Sequence, residues 1–268
     1  MSVVKSDNMS FLEHLEELRW HIIRSLIAII SAAFVCFLMK DFIFDTIIFG
    51  PKKMDFPTYK FLCQAATFVG IETSFCGDEF PFVIQNRTMA GQFSAHVMTS
   101  VIAGFIISFP YVLYEFWRFI SPGLLKKEKA KSRVFIFISS ILFFTGVVFG
   151  YYIVSPLSIN FLGTYQVSSQ VVNEIDLSSF IGLVRSSSLA SGIMFELPVI
   201  IYFLTKAGIV TPKSLVKYRK YALVFVLVLA ALITPPDIAS QIIVAIPITI
   251  LYQVSIFISK IVVKNQTK

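Results

Sequence analysis

Six stretches of the chain are almost wholly apolar: residues 21–40, 94–116, 134–156, 180–205, 220–234 and 238–258. A run of roughly 20 such residues crosses the hydrocarbon of a bilayer as a helix. The expected architecture is therefore an all-α membrane protein with six transmembrane helices, forming a single membrane domain over residues 1–268. The last two runs are short and separated only by Thr234-Pro235-Pro236-Asp237, which predicts a tight hairpin because Pro-Pro cannot continue a helix. One long segment, 44–92, breaks the apolar pattern with Pro51, Lys52, Asp55, Pro57, Glu72, Asp78, Glu79 and Arg87, and reads as a soluble loop.

The head of the first run is different again. Ser10-Phe-Leu-Glu13 fits a capping box. Phe11, Leu15, Leu18 and Ile22 then recur at helical spacing, with Glu13, Glu16 and Glu17 largely on the other side. This predicts an N-terminal amphipathic helix feeding into the first span, with Glu16 in reach of Arg19 one turn on.

Composition fits that pattern: 56% of residues are hydrophobic, 15% are charged, and the mean hydropathy is +0.78. The net charge of +7 does not point to nucleic acid, because its cations cluster between spans. Lys126, Lys127, Lys129, Lys131 and Arg133 fill one loop; Lys206, Lys213, Lys217, Arg219 and Lys220 fill another. Residues 157–179 hold Glu174 and Asp176 and no Lys or Arg. Excess Lys and Arg mark the cytoplasmic side, so both termini and both basic loops are expected there. The first run is too long for the core of a cleavable signal, and its head is acidic as well as basic. Cys63 and Cys76 share the 44–92 loop, which this topology places outside; they either pair or stand as free thiols, and spacing leaves both open.

Several carboxylates exceed what topology explains. Glu17 lies near the membrane end of the amphipathic head, and acidic residues contribute little to orientation. Glu128 is the lone acid among Lys126, Lys127, Lys129 and Lys131. Glu196, in Phe195-Glu-Leu-Pro198, sits within the fourth run, where an ionisable group is costly and marks function by default. Asp237 suits a helix cap, and Pro51 is read as structural. There is no His-Glu-x-x-His, Gly-x-Ser-x-Gly, Walker loop or Gly-x-Gly-x-x-Gly, so neither an enzyme nor a cofactor is expected. A small-molecule transporter coupled through Glu196, an intramembrane enzyme and a passive scaffold are the competing readings.

Five words occur in order: HLEELR at 14–19, FISPGL from 119 with Glu128, FELPV at 195–199, TPPD at 234–237 and AIP at 245–247. Together they resemble the TatC family, the multispanning subunits of the twin-arginine protein translocase. The resemblance covers nearly the whole chain outside 44–92. It implies a receptor in the bacterial inner membrane that binds twin-arginine signal peptides of folded cargo at its cytoplasmic face. It implies transport driven by the proton motive force, and TatA-like and TatB-like single-span partners in an oligomeric complex. By the same resemblance, Glu17, Arg19, Phe119 and Glu128 belong to the peptide site, Glu196 faces a groove, and Thr234 and Gln241 meet a partner subunit. Two departures stand out: Trp20 and His21 follow the "ELR" word where further basic residues are usual, and Gln253 stands where a Glu is common.

Overall fold

The computed structural model describes residues 11–70, 76–77, 80–120, 132–168, 170–233 and 238–266, with the side chains of 11–14, 69, 132–133, 232–233, 238–240 and 265–266 left aside. Ser10, Glu128, Thr234 and Asp237 lie outside the described residues, as does the side chain of Glu13.

Helix α1 (Phe11–Leu38) is continuous from the charged head into the first apolar run. A π-helical turn (Phe42–Ile48) and a 3-10 turn (Gly50–Lys52) follow, then α2 (Pro57–Val69), strand β1 (Phe82–Gln85) and α3 (Gly91–Ile120). Helix α4 (Ser132–Phe149) passes through a π-helical stretch (Gly150–Val154) into α5 (Ser155–Thr164). Strand β2 (Asn173–Asp176) leads to α6 (Leu177–Phe195) and α7 (Leu197–Lys206), then the short α8 (Pro212–Lys217), α9 (Arg219–Ile233) and α10 (Ile238–Gln266).

Among the described residues five segments are long and apolar enough to cross a membrane: Leu15–Leu38, Gly91–Ile120, Val134–Thr164, Leu177–Lys206 and Gln241–Lys264. The expected fifth run appears as α9, only 15 residues long. At 1.5 Å per residue that is about 22 Å, short of a hydrocarbon core of about 30 Å. Two boundaries differ from expectation. The third run continues to Thr164 rather than ending near 156, because Ser158 and Asn160, which look loop-like in sequence, are buried in the fold. The last helix is not short: it spans 29 residues, carries Pro247 inside it and ends with Lys264 in its final turn.

The fold is also not purely helical. β1 and β2 pair in parallel, Phe82 opposite Asn173 through Gln85 opposite Asp176. Parallel strands need a long crossover, and α3 to α5 supply it. The 44–92 segment thus contains built structure rather than a plain loop. Cys63 and Cys76 form a disulfide across 13 residues. Tyr59 is fully buried and its hydroxyl donates to the carbonyl oxygens of Pro51 (2.9 Å) and Pro156 (3.1 Å). Pro51 thereby anchors the outer segment, and burial pushes the Tyr59 phenol well above its ordinary pKa.

The described chain forms two compact units, Met1–Leu38 with Ser100–Ser140, and Met39–Thr99 with Ile141–Lys268. In the second, small residues let helices meet. A Cβ on Gly146 would lie 2.5 Å from the Ser191 carbonyl oxygen and 2.8 Å from the Gly192 Cα. Gly150 stands equally close to Ser187 and Ser188. This Gly-x-x-x-Gly face against Ser187, Ser188, Ser191 and Gly192 is how helices associate without a water-driven hydrophobic force between them. Elsewhere in the unit Val154, Val226, Ala230, Val244 and Ile248 form one cluster, and Leu215, Tyr252 and Ile256 another.

Gly146→Val should therefore destabilise the protein by at least about 1–3 kcal/mol, the usual cost of overpacking, seen as a lower unfolding temperature in detergent. Asp176 caps α6, accepting from the Ser178 backbone N–H at 2.9 Å and from the Ser178 hydroxyl. The Ser178 hydroxyl, and then its N–H, hold the Asp176 carboxyl below the usual carboxylate range. A depressed carboxylate stabilises the fold above its unfolded pKa and loses that contribution as pH falls through the folded value. Asp176→Ala should lower the unfolding temperature at neutral pH by removing the cap, and the difference from the native chain should shrink on acidification below about pH 4.

Candidate functional site

In the charged head of α1, Leu15 is 44% exposed and Ile22 49%, whereas His21 is 5% exposed. Glu17 and Leu18 are half-buried, and Glu16, Arg19 and Arg24 are exposed. His21 is thus the one fully buried side chain of the described head, one turn after Glu17 on the same face of the helix.

In the same unit, the C-terminal end of α3 presents Tyr111, Glu115 and Phe119 at intervals of four. Glu115 is 2% exposed. His21 donates from Nδ1 to Glu115 Oε2 at 2.5 Å, and Arg24 Nη1 lies 3.9 Å from the same oxygen. The His21 ring meets Phe119 edge-on, centroids 6.1 Å apart. Trp117, also buried, packs on Phe135 at 4.8 Å. Tyr111 faces the same Glu115 carboxylate.

Of the residues expected at the peptide site, Phe119 meets the His21 ring, and Glu17 lies one helical turn before His21 on the same face of α1. Glu17 is half-buried, and its Oε2 is shielded from solvent with no hydrogen-bond partner among the described residues. Arg19 stands apart. It is exposed, 3.7 Å from Glu16 and 5.6 Å from the centroid of the Trp20 ring. A pair so exposed contributes little.

Glu115 and His21 are the functional-site residues that the sequence reading missed. It took Glu196 as the one secure deep carboxylate; Glu115 is at least as buried. The signal was present, since Tyr111, Glu115 and Phe119 share a helix face, but the partner lies 94 residues away. The departure at His21 has a structural account: the residue turns inward and pairs, rather than presenting a cation outward.

Glu196 lies in the second unit at the break between α6 and α7, 8% exposed. The break follows from Pro198, which has no N–H for the carbonyl four residues back. Phe195, beside it, packs on Phe149 at 5.4 Å. Gln241 donates from Nε2 to the Leu227 carbonyl at 3.0 Å, tying α10 to α9. A cavity of about 1210 Å³ in this unit is lined by Phe44, Lys53, Phe80 and His96 among others, and includes none of the residues expected to bind peptide or partner.

These features define a class: a helical, multi-pass membrane protein with a cluster of ionisable groups where α1 meets the C-terminal end of α3, and a buried carboxyl at a mid-helix break. Comparison with known proteins narrows the class. The family described as Sec-independent protein translocase protein (TatC) matches residues 13–247. A Sec-independent protein translocase protein TatC of Blattabacterium sp. subsp. Periplaneta americana (strain BPLAN) is 46% identical, covering 98% of this chain and 99% of its own. One from Aquifex aeolicus (strain VF5) is 33% identical over 96% and 98% of the two chains. The crystal structure titled as the twin arginine translocase receptor TatC in DDM superposes with a TM-score of 0.70 at 32% identity, covering 92% of this chain and 99% of that one. The chain belongs to the TatC family of Sec-independent protein translocase components.

Proposed function

We propose that this chain is the receptor subunit of a twin-arginine translocase. It binds the signal peptide of folded cargo at the cytoplasmic face of the bacterial inner membrane and nucleates a complex driven by the proton motive force. The observation that carries this reading is Glu17, a carboxylate with one oxygen shielded from water and lacking a donor among the described residues, one turn before His21, whose ring meets Phe119. A guanidinium supplies paired donors in one plane, which suits a carboxylate better than the point charge of an ammonium. An aromatic ring nearby offers a face on which a guanidinium stacks.

In this reading Glu17 and Glu128 take the two arginines. The lysines around Glu128 repel cations that cannot match its geometry. The whole chain acts as one membrane domain with six spans, both termini and both basic loops being cytoplasmic. The short α9 then requires a locally thinned bilayer or a hairpin that stops short of the far interface. TatA-like and TatB-like single-span proteins dock near Thr234 and Gln241, at the outer ends of the last two spans. Glu196 serves the membrane-embedded part of transport.

The test is binding of a twin-arginine signal peptide and its twin-lysine counterpart to protein in membranes. Hydrogen bonds to a charged group contribute about 1.5–3 kcal/mol, so arginine should be preferred by roughly tenfold or more. Glu17→Gln and Glu128→Gln should each remove the preference. Equal, weak, salt-sensitive binding of both peptides, unchanged in both variants, would refute the receptor reading.

A further inference from the structure

Glu115 has no role in recognition as described so far, yet it is the most completely buried carboxylate among the described residues. Burying such a group is tolerated only when it is paired and hydrogen-bonded. Its partners are specific: the His21 imidazole at 2.5 Å and the Arg24 guanidinium at 3.9 Å, with Tyr111 facing it. His21 does two things at once, donating to Glu115 and setting its ring against Phe119. It also follows Glu17 by one turn on the same face of α1.

Apolar packing alone does not set the rotation of this part of α1, because Leu15 and Ile22 are half-exposed and Leu18 and Ile23 are only partly buried. The directional contacts are polar, and they converge on Glu115. A rotation of α1 large enough to carry His21 away from Glu115 would also take its ring off Phe119 and turn Glu17, one turn earlier on the same face, with it. The same contacts consume the Glu115 carboxylate. Two cationic or donor groups already occupy it, so it does not compete with Glu17 for an arriving guanidinium.

We propose that the His21–Glu115 pair is a positioning latch for the signal-peptide face. It fixes the head of α1 against the C-terminal end of α3 so that Glu17 and Phe119 are presented together, and so sets arginine-over-lysine selectivity without touching the peptide. This proposal rests on the receptor reading. His21 and Glu115 are positioning residues, and Glu17 remains the group that meets the ligand.

Two substitutions at one site separate the hydrogen bond from the ring. His21→Asn places an amide donor near the former Nδ1 and removes the ring. His21→Phe keeps the ring and removes the donor, leaving Glu115 buried with one partner fewer. Glu115→Gln keeps the shape and removes the charge. The peptide dissociation constants for twin-arginine and twin-lysine sequences would be measured for each in nanodiscs, beside thermal unfolding, with Glu17→Gln as the control.

His21→Phe and Glu115→Gln should each weaken the twin-arginine peptide about tenfold, the scale of one lost charge-assisted hydrogen bond, and should lower the arginine-to-lysine ratio. His21→Asn should stay within about threefold of the native protein, a residual change typical of a retained bond with altered packing. The double variant His21→Phe/Glu115→Gln should be no weaker than either single one, as for two halves of one contact. Native affinity and selectivity in His21→Phe would overturn the latch. So would losses that follow unfolding temperature alike in His21→Asn and His21→Phe, since these mark general packing. If His21→Phe does not fold, Glu115→Gln decides by the same criteria. Glu17→Gln separates the two levels. If it binds both peptides as the native chain does, the receptor reading falls and the latch with it. If it loses the preference while His21→Phe and Glu115→Gln keep it, only the latch is wrong.

Discussion

Lipid tails are as apolar as leucine, so helices in a bilayer gain little by hiding apolar faces from one another. Every backbone polar group must also be satisfied within the protein. What remains to hold spans together is close packing of small residues and the pairing of polar ones. Both devices are visible, and each unit uses them in its own way. In the second unit Gly146 and Gly150 admit the backbone of Ser187 to Gly192, and the larger Phe143 and Val154 are buried around that approach. In the first, a Cβ on Gly104 would lie 2.5 Å from the Ala33 backbone nitrogen, so α1 and α3 touch where both side chains are smallest. Toward the N-terminal end of α1 and the C-terminal end of α3 the contact changes character and becomes His21 on Glu115.

The spans were legible because their signal is local: length and hydropathy suffice for a solvent this uniform. The features that escaped depend on distant partners. Ser158 and Asn160 read as loop residues until a folded environment buries them, so the third run extends past its expected end. β1 and β2 are each four residues long and gain meaning only by pairing across the intervening helices. Cys63 and Cys76 left pairing open in sequence, since spacing says nothing of separation in space; the fold joins them.

The candidate site divides along the same line. Glu17 and Phe119 were expected from the family's words alone. Nothing local distinguished Glu115 from an acid at the end of a span. In the α1 head the apolar positions Leu15 and Ile22 are half-exposed, and the buried side chain is His21. Helical periodicity gives the angle between two faces and says nothing about what each face meets.

For the proposed receptor, the pairing of ionisable groups where α1 meets α3 bears on selectivity. Glu115 has His21 and Arg24, so the chain's own donors already occupy that carboxylate, whereas Glu16 has only the solvent-exposed Arg19. The described residues offer no donor to Glu17 Oε2. In the proposed receptor an incoming cation would meet at Glu17 an oxygen shielded from water, where a charge-assisted bond is strongest, while capture of Glu115 would require breaking an existing pair. Discrimination between guanidinium and ammonium would then follow from geometry, because desolvation penalises any donor set that leaves part of the carboxylate unpaired. On that proposal, selectivity comes less from the number of acidic groups than from which of them the fold has already paired.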